Sequence, residues 1–374
     1  MIKPLTSLRF LFALMVFGSH LQFFDAEKYP DFNRFYTLVL SEGFIGVGFF
    51  FILSGFILSF NYDERLLSRE VTFREFWVAR IARVYPLHLL TLLLGLLLML
   101  YAPEDGVAFT ADLAASLVKL FTNAALLQAF VPNMAYYFSY NWPAWSLSDE
   151  MFFYFAFPFI VFLAVRNKLL LRFGWVLLAA VPFIIQLSQE ENFHQFFYIN
   201  PFFRIVDFLL GILLHQVYKH AYARRAFRSR PGATLLEGLS IAAMAVALYF
   251  HNDVPKVYRF SCYYWLPISL VIFSFAYQRG YLSALFSAKL LVFLGEISFS
   301  FYMIHQLIIR YLTIENSQRQ VITDSYVMAA ICFILSLGLS YVLHKYVEVP
   351  GSRYVRHRYR TSSFARQPLA EVAA

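Results

Sequence analysis

Cysteine is almost missing from this 374-residue sequence: Cys262 and Cys332 are the only two, and both stand in apolar runs. That argues against a disulfide framework and against a cysteine-based metal site. Charge is scarce as well. Asp, Glu, Lys and Arg together make up 14% of the chain, against about 25% in soluble domains. No internal repeat and no low-complexity tract is visible. The chain is instead 60% hydrophobic, with a mean hydropathy of +0.59. These shortages exclude an ordinary soluble domain and point to a polytopic membrane protein, an all-α helical bundle.

Apolar windows of about twenty residues mark membrane spans. Ten are expected, at 5–24, 40–60, 84–101, 146–165, 170–187, 201–218, 234–250, 262–278, 290–312 and 324–346. The segment 111–130 reads as a weaker amphipathic helix on the outer surface. A cleaved signal peptide is not expected, because Arg9 interrupts the first apolar run and no A-x-A site follows.

Lys and Arg set the orientation. Arg65, Arg69, Arg74, Arg80 and Arg83 fall in one loop, and Lys219, Arg224, Arg225, Arg228 and Arg230 in another. Lys168 lies between Arg166 and Arg172, and the tail holds Arg353, Arg356, Arg358, Arg360 and Arg366. The alternate loops are poor in both residues, so both termini are expected in the cytoplasm. The net charge of +8 needs no nucleic acid as partner, since positive-inside loops on an anionic leaflet suffice.

A few polar residues interrupt the apolar spans. Arg9 and His20 are eleven positions apart, about three helical turns plus 20°, so they share one face about 16 Å apart. Such groups normally face the protein interior or a wet cavity. The second span is glycine-rich, which suits close helix packing, and carries Ser54. Thr72 and Glu75 fit a capping box that opens a helix. Trp77, Arg80 and Arg83 then recur every third residue, which places them on one side. Two arginines beside an indole suit phosphates and a stacked base, and equally a lipid-headgroup surface. Pro86 is expected to end or bend this helix where the third span begins.

Glu150 and Tyr154 lie one turn apart in the fourth span. Arg204 and Asp207 form an i,i+3 pair able to satisfy each other. The ninth span carries Glu296 and His305. Glu348 is expected to pair with a tail arginine, and Pro350 to end the last span. Counting along the spans puts Arg9, His88 and Glu296 low, with Arg80 and Arg83 at the inner mouth. It puts His20, Glu150, Arg204 and His305 in the outer half. The expectation is a cationic inner layer for an anionic donor, and an outer layer for acid–base work on an acceptor.

Several ordered segments resemble integral-membrane acyltransferase family 3, the bacterial acyltransferases that decorate O-antigens, exopolysaccharides and other exported glycans. SLRFLFALMVFGSH is similar to the family's Arg–x10–His motif, on Arg9 and His20. GVGFFFILSGFIL carries the Gly-Val-x-x-Phe-Phe-x-x-Ser-Gly-Phe pattern, and FWVARIARVYPL the Arg-x-x-Arg-x-x-Pro pattern. SLSDEMFFY resembles Ser-Leu-Ser-x-Glu-x-x-Phe-Tyr, and LGEISFSFYMIH resembles Leu-Gly-x-x-Ser-x-x-x-Tyr-x-x-His. YVEVP resembles the closing Glu-x-Pro. One position departs: Gly48 stands where the family often has an acidic or polar residue.

The resemblance implies acyl transfer from cytoplasmic acyl-CoA, acetyl-CoA by default, to a hydroxyl of an extracytoplasmic glycan or glycolipid. It implies His20 as the catalytic histidine, with Arg9, Arg80 and Arg83 in donor binding; Glu150, assigned beside His20 on its chemistry, is suited either to orienting an imidazole or to binding the acceptor's hydroxyls. Trp77 and Ser54 are assigned to the donor as well, and Tyr154, Arg204 and His305 to the acceptor. No metal or tightly bound cofactor is needed, because a thioester is already activated. The implied location is the bacterial cytoplasmic (inner) membrane, with residues 1–350 as the membrane domain and 351–374 as a loosely ordered basic cytoplasmic tail. Some relatives carry a soluble hydrolase-like domain after the membrane part; with the sequence ending at Ala374, none is expected here. The rival reading is a transporter or exporter using buried His, Glu and Arg as a relay.

Overall fold

The computed structural model describes residues 2–102, 112–188, 192–223, 227 and 229–361. Among them every regular element is helical. The principal helices are α1 (Lys3–Ser19), α2 (Ile45–Leu67), α3 (Phe73–Tyr101), α4 (Trp145–Ile160), α5 (Leu169–Leu187) and α6 (Pro201–Ala223). They continue with α7 (Arg230–Tyr249), α8 (Trp265–Ala276), α9 (Lys289–Arg319), α10 (Ser325–Leu343) and α11 (Val349–Thr361).

Each of the ten expected spans coincides with a helix. Among the described residues eight are long and apolar enough to cross a membrane. The first expected span is shorter than its apolar run, since α1 stops at Ser19. The eighth is a 12-residue helix, α8, entered through a tight turn over Cys262–Tyr264. The helix Leu113–Ala124 turns Leu113, Leu117 and Phe121 outward and buries Ser116 and Asn123. That outward apolar stripe suits lipid better than water.

Three expectations at helix ends need correction. The capping box forms as read: Glu75 N–H donates to Thr72 Oγ1 (3.2 Å) and Thr72 N–H to Glu75 Oε2 (2.8 Å). The helix it opens, however, runs unbroken through Pro86 for 29 residues. Arg80 and Arg83 therefore sit inside a membrane helix, not on a separate surface helix. Nor does Pro350 end anything. A π-helical stretch, His344–Glu348, follows α10, and Pro350 falls at the second residue of α11. The chain stays helical from Ser325 to Thr361, and the π-helical turn lies directly before the proline, where the bonding pattern is already shifted. The tail is thus helical to Thr361 and lies along α3, where Gly351 meets the Pro86 ring. Residues 362–374, with Arg366, and the loop residues Arg224, Arg225 and Arg228 lie outside the described residues.

Helices α2 and α6 make the closest crossing. A Cβ on Gly211 would strike the Ile52 carbonyl, and one on Gly55 the Phe208 carbonyl. These reciprocal glycines let two backbones touch, as small residues do at membrane helix interfaces. Helix α1 is pinned between α2 and α9, its Thr6 backbone lying against Gly295. Helices α1, α2, α3, α4 and α9 thereby surround a common interior space.

Candidate active site

That space is a cavity of about 650 Å³. Arg9 and Thr6 line it from α1, and Ser54 from α2. Arg80 and Arg83 line it from α3, and Glu150 and Tyr154 from α4. Glu296, Ser298 and Tyr302 complete it from α9. Phe60 and Asn61, both exposed, stand at the end that carries Arg80, so the cavity opens there.

The polar groups are tied together with consistent chemistry. Arg80 donates to the Tyr62 hydroxyl (3.2 Å), and its guanidinium lies 6.0 Å from the centre of the Tyr154 ring. Tyr154 donates to Glu150 Oε2 (3.1 Å), and Ser54 lies beside the Tyr154 hydroxyl. Arg83 forms an ion pair with Glu348. The same carboxylate accepts from Ser300 (2.7 Å) and is 3.1 Å from His344 Nδ1. Glu348 is fully enclosed. Arg9 makes no hydrogen bond or ion pair among the described residues and faces the cavity. An enclosed guanidinium without a counter-ion is a ready partner for an anionic ligand.

Six of the ten assigned residues, Arg9, Ser54, Arg80, Arg83, Glu150 and Tyr154, thus line one cavity. Four do not. Trp77 donates its indole N–H to the Tyr154 carbonyl (3.2 Å) and lies among Phe73, Phe155 and Phe159. It locks α3 to α4 and is not placed to stack a base in the cavity. Arg204 forms an ion pair with Asp207 (2.9 Å) and donates to the Phe260 carbonyl (2.6 Å). The ion pair forms as the i,i+3 spacing allows, but it does not satisfy itself: Trp265 donates to Asp207 Oδ1, and Arg204 Nε and Asp207 Oδ2 have no hydrogen-bond partner among the described residues, beside a void of only about 10 Å³ next to Gly48. A Cβ on Gly48 would lie 3.6 Å from the Arg204 guanidinium, so an acidic residue there would face this arginine.

His20 and His305 form a pair of their own, ring centres 5.3 Å apart. His305 is fully buried, and its Nδ1 lies 2.7 Å from the Tyr302 carbonyl. A carbonyl only accepts, so Nδ1 carries the proton and a neutral His305 keeps its Nε2 lone pair. That Nε2 has no hydrogen-bond partner among the described residues. Tyr302 connects the pair to the cavity: its ring centre is 5.9 Å from His305 and 5.9 Å from Phe50, and both Tyr302 and Phe50 are cavity-lining. The expected two layers therefore need redrawing. Glu150 belongs with the arginines, and the histidine pair stands apart from them beyond Tyr302. His88 is buried elsewhere, its Nε2 2.8 Å from the Asn123 carbonyl. Glu348, expected beside a tail arginine, is the partner of Arg83 instead.

Ser146 and Tyr302, which stand in the Ser-Leu-Ser and Tyr-x-x-His segments, also line the cavity, with their hydroxyls 2.9 Å apart.

The model of the family described as "Acyltransferase domain" matches residues 4–345. The chain belongs to this family. As a member it is an enzyme that transfers acyl groups, built as a polytopic helical membrane protein. It is 31% identical over 329 residues to "Acyltransferase MdmB" of Streptomyces mycarofaciens, covering 83% of this chain and 79% of the relative. It is 25% identical over 325 residues to "O-acetyltransferase OatA" of Staphylococcus aureus. That match covers 83% of this chain but only 53% of OatA, so the chain spans about half of that relative. It is 26% identical over 275 residues to "Putative acetyltransferase ORF330" of Acidianus two-tailed virus, covering 72% of this chain and 74% of the relative. No solved structure matches.

Proposed function

We propose that this acyltransferase moves an acyl group, acetyl by default, from cytoplasmic acyl-CoA to a hydroxyl of an extracytoplasmic glycan or glycolipid. The observation that carries this reading is the single cavity that gathers Arg9, Arg80 and Arg83 and leads to the His20–His305 pair. Guanidiniums suit the diphosphate of a coenzyme A thioester. The "O-acetyltransferase" name of the OatA relative supports acetyl and an oxygen acceptor. In the reaction, a neutral His20 takes the proton of the acceptor hydroxyl as its oxygen attacks the thioester carbonyl. The carbon–sulfur bond breaks, the thiolate of coenzyme A leaves and is then protonated, and an ester is formed. The unpartnered His305 Nε2 can accept an N–H from His20 and so fix which nitrogen of His20 acts as base. Labelled acetyl-CoA given to purified protein with surface glycan should yield labelled ester. No transfer and no hydrolysis of any acyl-CoA would overturn the reading.

The location is the cytoplasmic (inner) membrane, with both termini and the Arg80 mouth inside, from the Lys/Arg asymmetry. A single cysteine near Asp63 should then resist a membrane-impermeant thiol reagent in intact cells. One near Asn316 should react. Labelling near Asp63 without permeabilisation would reverse the orientation.

A further inference from the structure

Helix α11 begins beyond the residues that the family model matches, yet it packs along α3 beside the arginines that line the cavity. Gly351 sits against the Pro86 ring on α3, which brings the two helices close enough to lie side by side. One turn further on, Arg356 reaches α3: its guanidinium is 3.5 Å from the Ala79 carbonyl. Across that contact it feels the charges of Arg80 and Arg83, and along its own helix that of Arg360. Arg356 thus joins Arg80 and Arg83 at one opening, with Arg360 one turn behind it. The carboxylate beside them, Glu348, is already held by Arg83, Ser300 and His344. Arg356 itself is exposed and forms no ion pair among the described residues. Like charges held together beside a cavity favour a multiply charged anion.

The order of the arginines along the passage narrows the ligand. Arg9 lies inside the cavity, Arg83 and then Arg80 follow toward the open end of α3, and Arg356 lies over that end. A coenzyme A thioester entering acyl-first carries its diphosphate behind the pantetheine arm. The 3′-phosphate of its ribose comes last. We propose that Arg356 is a donor-binding residue that takes this outermost phosphate, a fourth arginine supplied by α11. The inference rests on the acyl-CoA reading above.

Equilibrium binding of CoA and 3′-dephospho-CoA to the full chain in neutral detergent tests it. Arg356→Ala should bind CoA about 10- to 100-fold more weakly, the loss of one charged hydrogen bond. It should bind 3′-dephospho-CoA as the wild type does, because the partner of Arg356 is then already gone. Arg356→Gln should behave like Arg356→Ala, and Arg353→Ala and Arg358→Ala, also exposed on α11, should leave both affinities unchanged. If Arg356→Ala weakens both nucleotides equally, or neither, Arg356 does not meet the 3′-phosphate and the inference fails while the donor reading stands. A wild type that binds neither nucleotide removes the donor reading and the inference together. The rival phosphate is a lipid headgroup. It would show as wild-type CoA binding by Arg356→Ala in detergent, with a loss of thermal stability confined to nanodiscs of anionic phospholipid, and that outcome also overturns the inference.

Discussion

His20→Ala should lower acyl transfer about 100- to 10,000-fold, the usual cost of losing a general base, while acyl-CoA binding stays nearly unchanged. The split follows from position. His20 is not among the residues that line the cavity where the arginines gather; it lies against His305, on the far side of Tyr302. Donor affinity should therefore barely register its loss. His20→Gln keeps hydrogen bonding but no usable base, and should be as inactive as the alanine variant. The same geometry favours direct transfer over an acyl-histidine intermediate. Wild-type enzyme given acyl-CoA without acceptor should accumulate no stoichiometric acyl-protein in rapid-quench mass spectrometry. A kinetically competent acyl group on His20 would instead establish double displacement. A fully active His20→Ala would remove His20 from the chemistry altogether.

The second large effect is expected at Arg83, where two losses coincide. Arg83→Ala removes a donor contact, worth about 1.5–3 kcal/mol for a charged hydrogen bond. It also leaves Glu348, whose side chain has 0% exposure, without its cation. Ser300 and His344 still serve that carboxylate. The folding penalty therefore sits near the cost of an under-satisfied buried group, about 1–3 kcal/mol, below that of a bare broken pair. Arg83→Ala should bind acyl-CoA more weakly and also melt at a lower temperature in detergent. Adding Glu348→Gln should recover the melting temperature but not the affinity. Arg80 has no carboxylate partner among the described residues, so Arg80→Ala should lose affinity with little change in melting. Arg80→Lys should restore only part of it, because an ammonium lacks the planar fork. If the double variant recovers affinity as well, Arg83 serves the fold and not the donor.

Much of this arrangement was legible in the residues. The ten apolar runs each mark a helix, and the Thr72–Glu75 box opens α3 as its spacing implies. Where the reading failed, the physics is specific. Three residues turn a helix by about 300°, so from Trp77 to Arg83 the face drifts by about 120°. Arg80 and Arg83 reach the cavity, and Trp77 looks away toward Phe155 and Phe159. Arg9 and His20 share a helical face on paper, but α1 ends at Ser19. His20 is its C-cap, beyond the last residue whose direction the helical period sets. The Arg83–Glu348 pair joins residues 265 positions apart, and no local pattern could reveal it. Pro86 and Pro350 misled because a missing N–H breaks a helix only where a bond was needed and could not be replaced.

The edge-to-face contact between Phe50 and Tyr302 has an electrical meaning. A membrane potential is worth about 2.3 kcal/mol per elementary charge per 100 mV, and an open aqueous channel through the protein would short it. The two rings meet where the arginine-lined cavity gives way to the histidine pair, and the Tyr302 hydroxyl is fixed by Ser146 (2.9 Å) and the Pro143 carbonyl (3.2 Å). Two apolar ring faces offer a charge little in exchange for its hydration. If the acyl group travels this way, as the proposed reaction requires, an uncharged group meets a lower barrier here than a proton or metal ion does. On the proposed reading, that difference would let a chemical group cross an energised bilayer without an ion leak beside it.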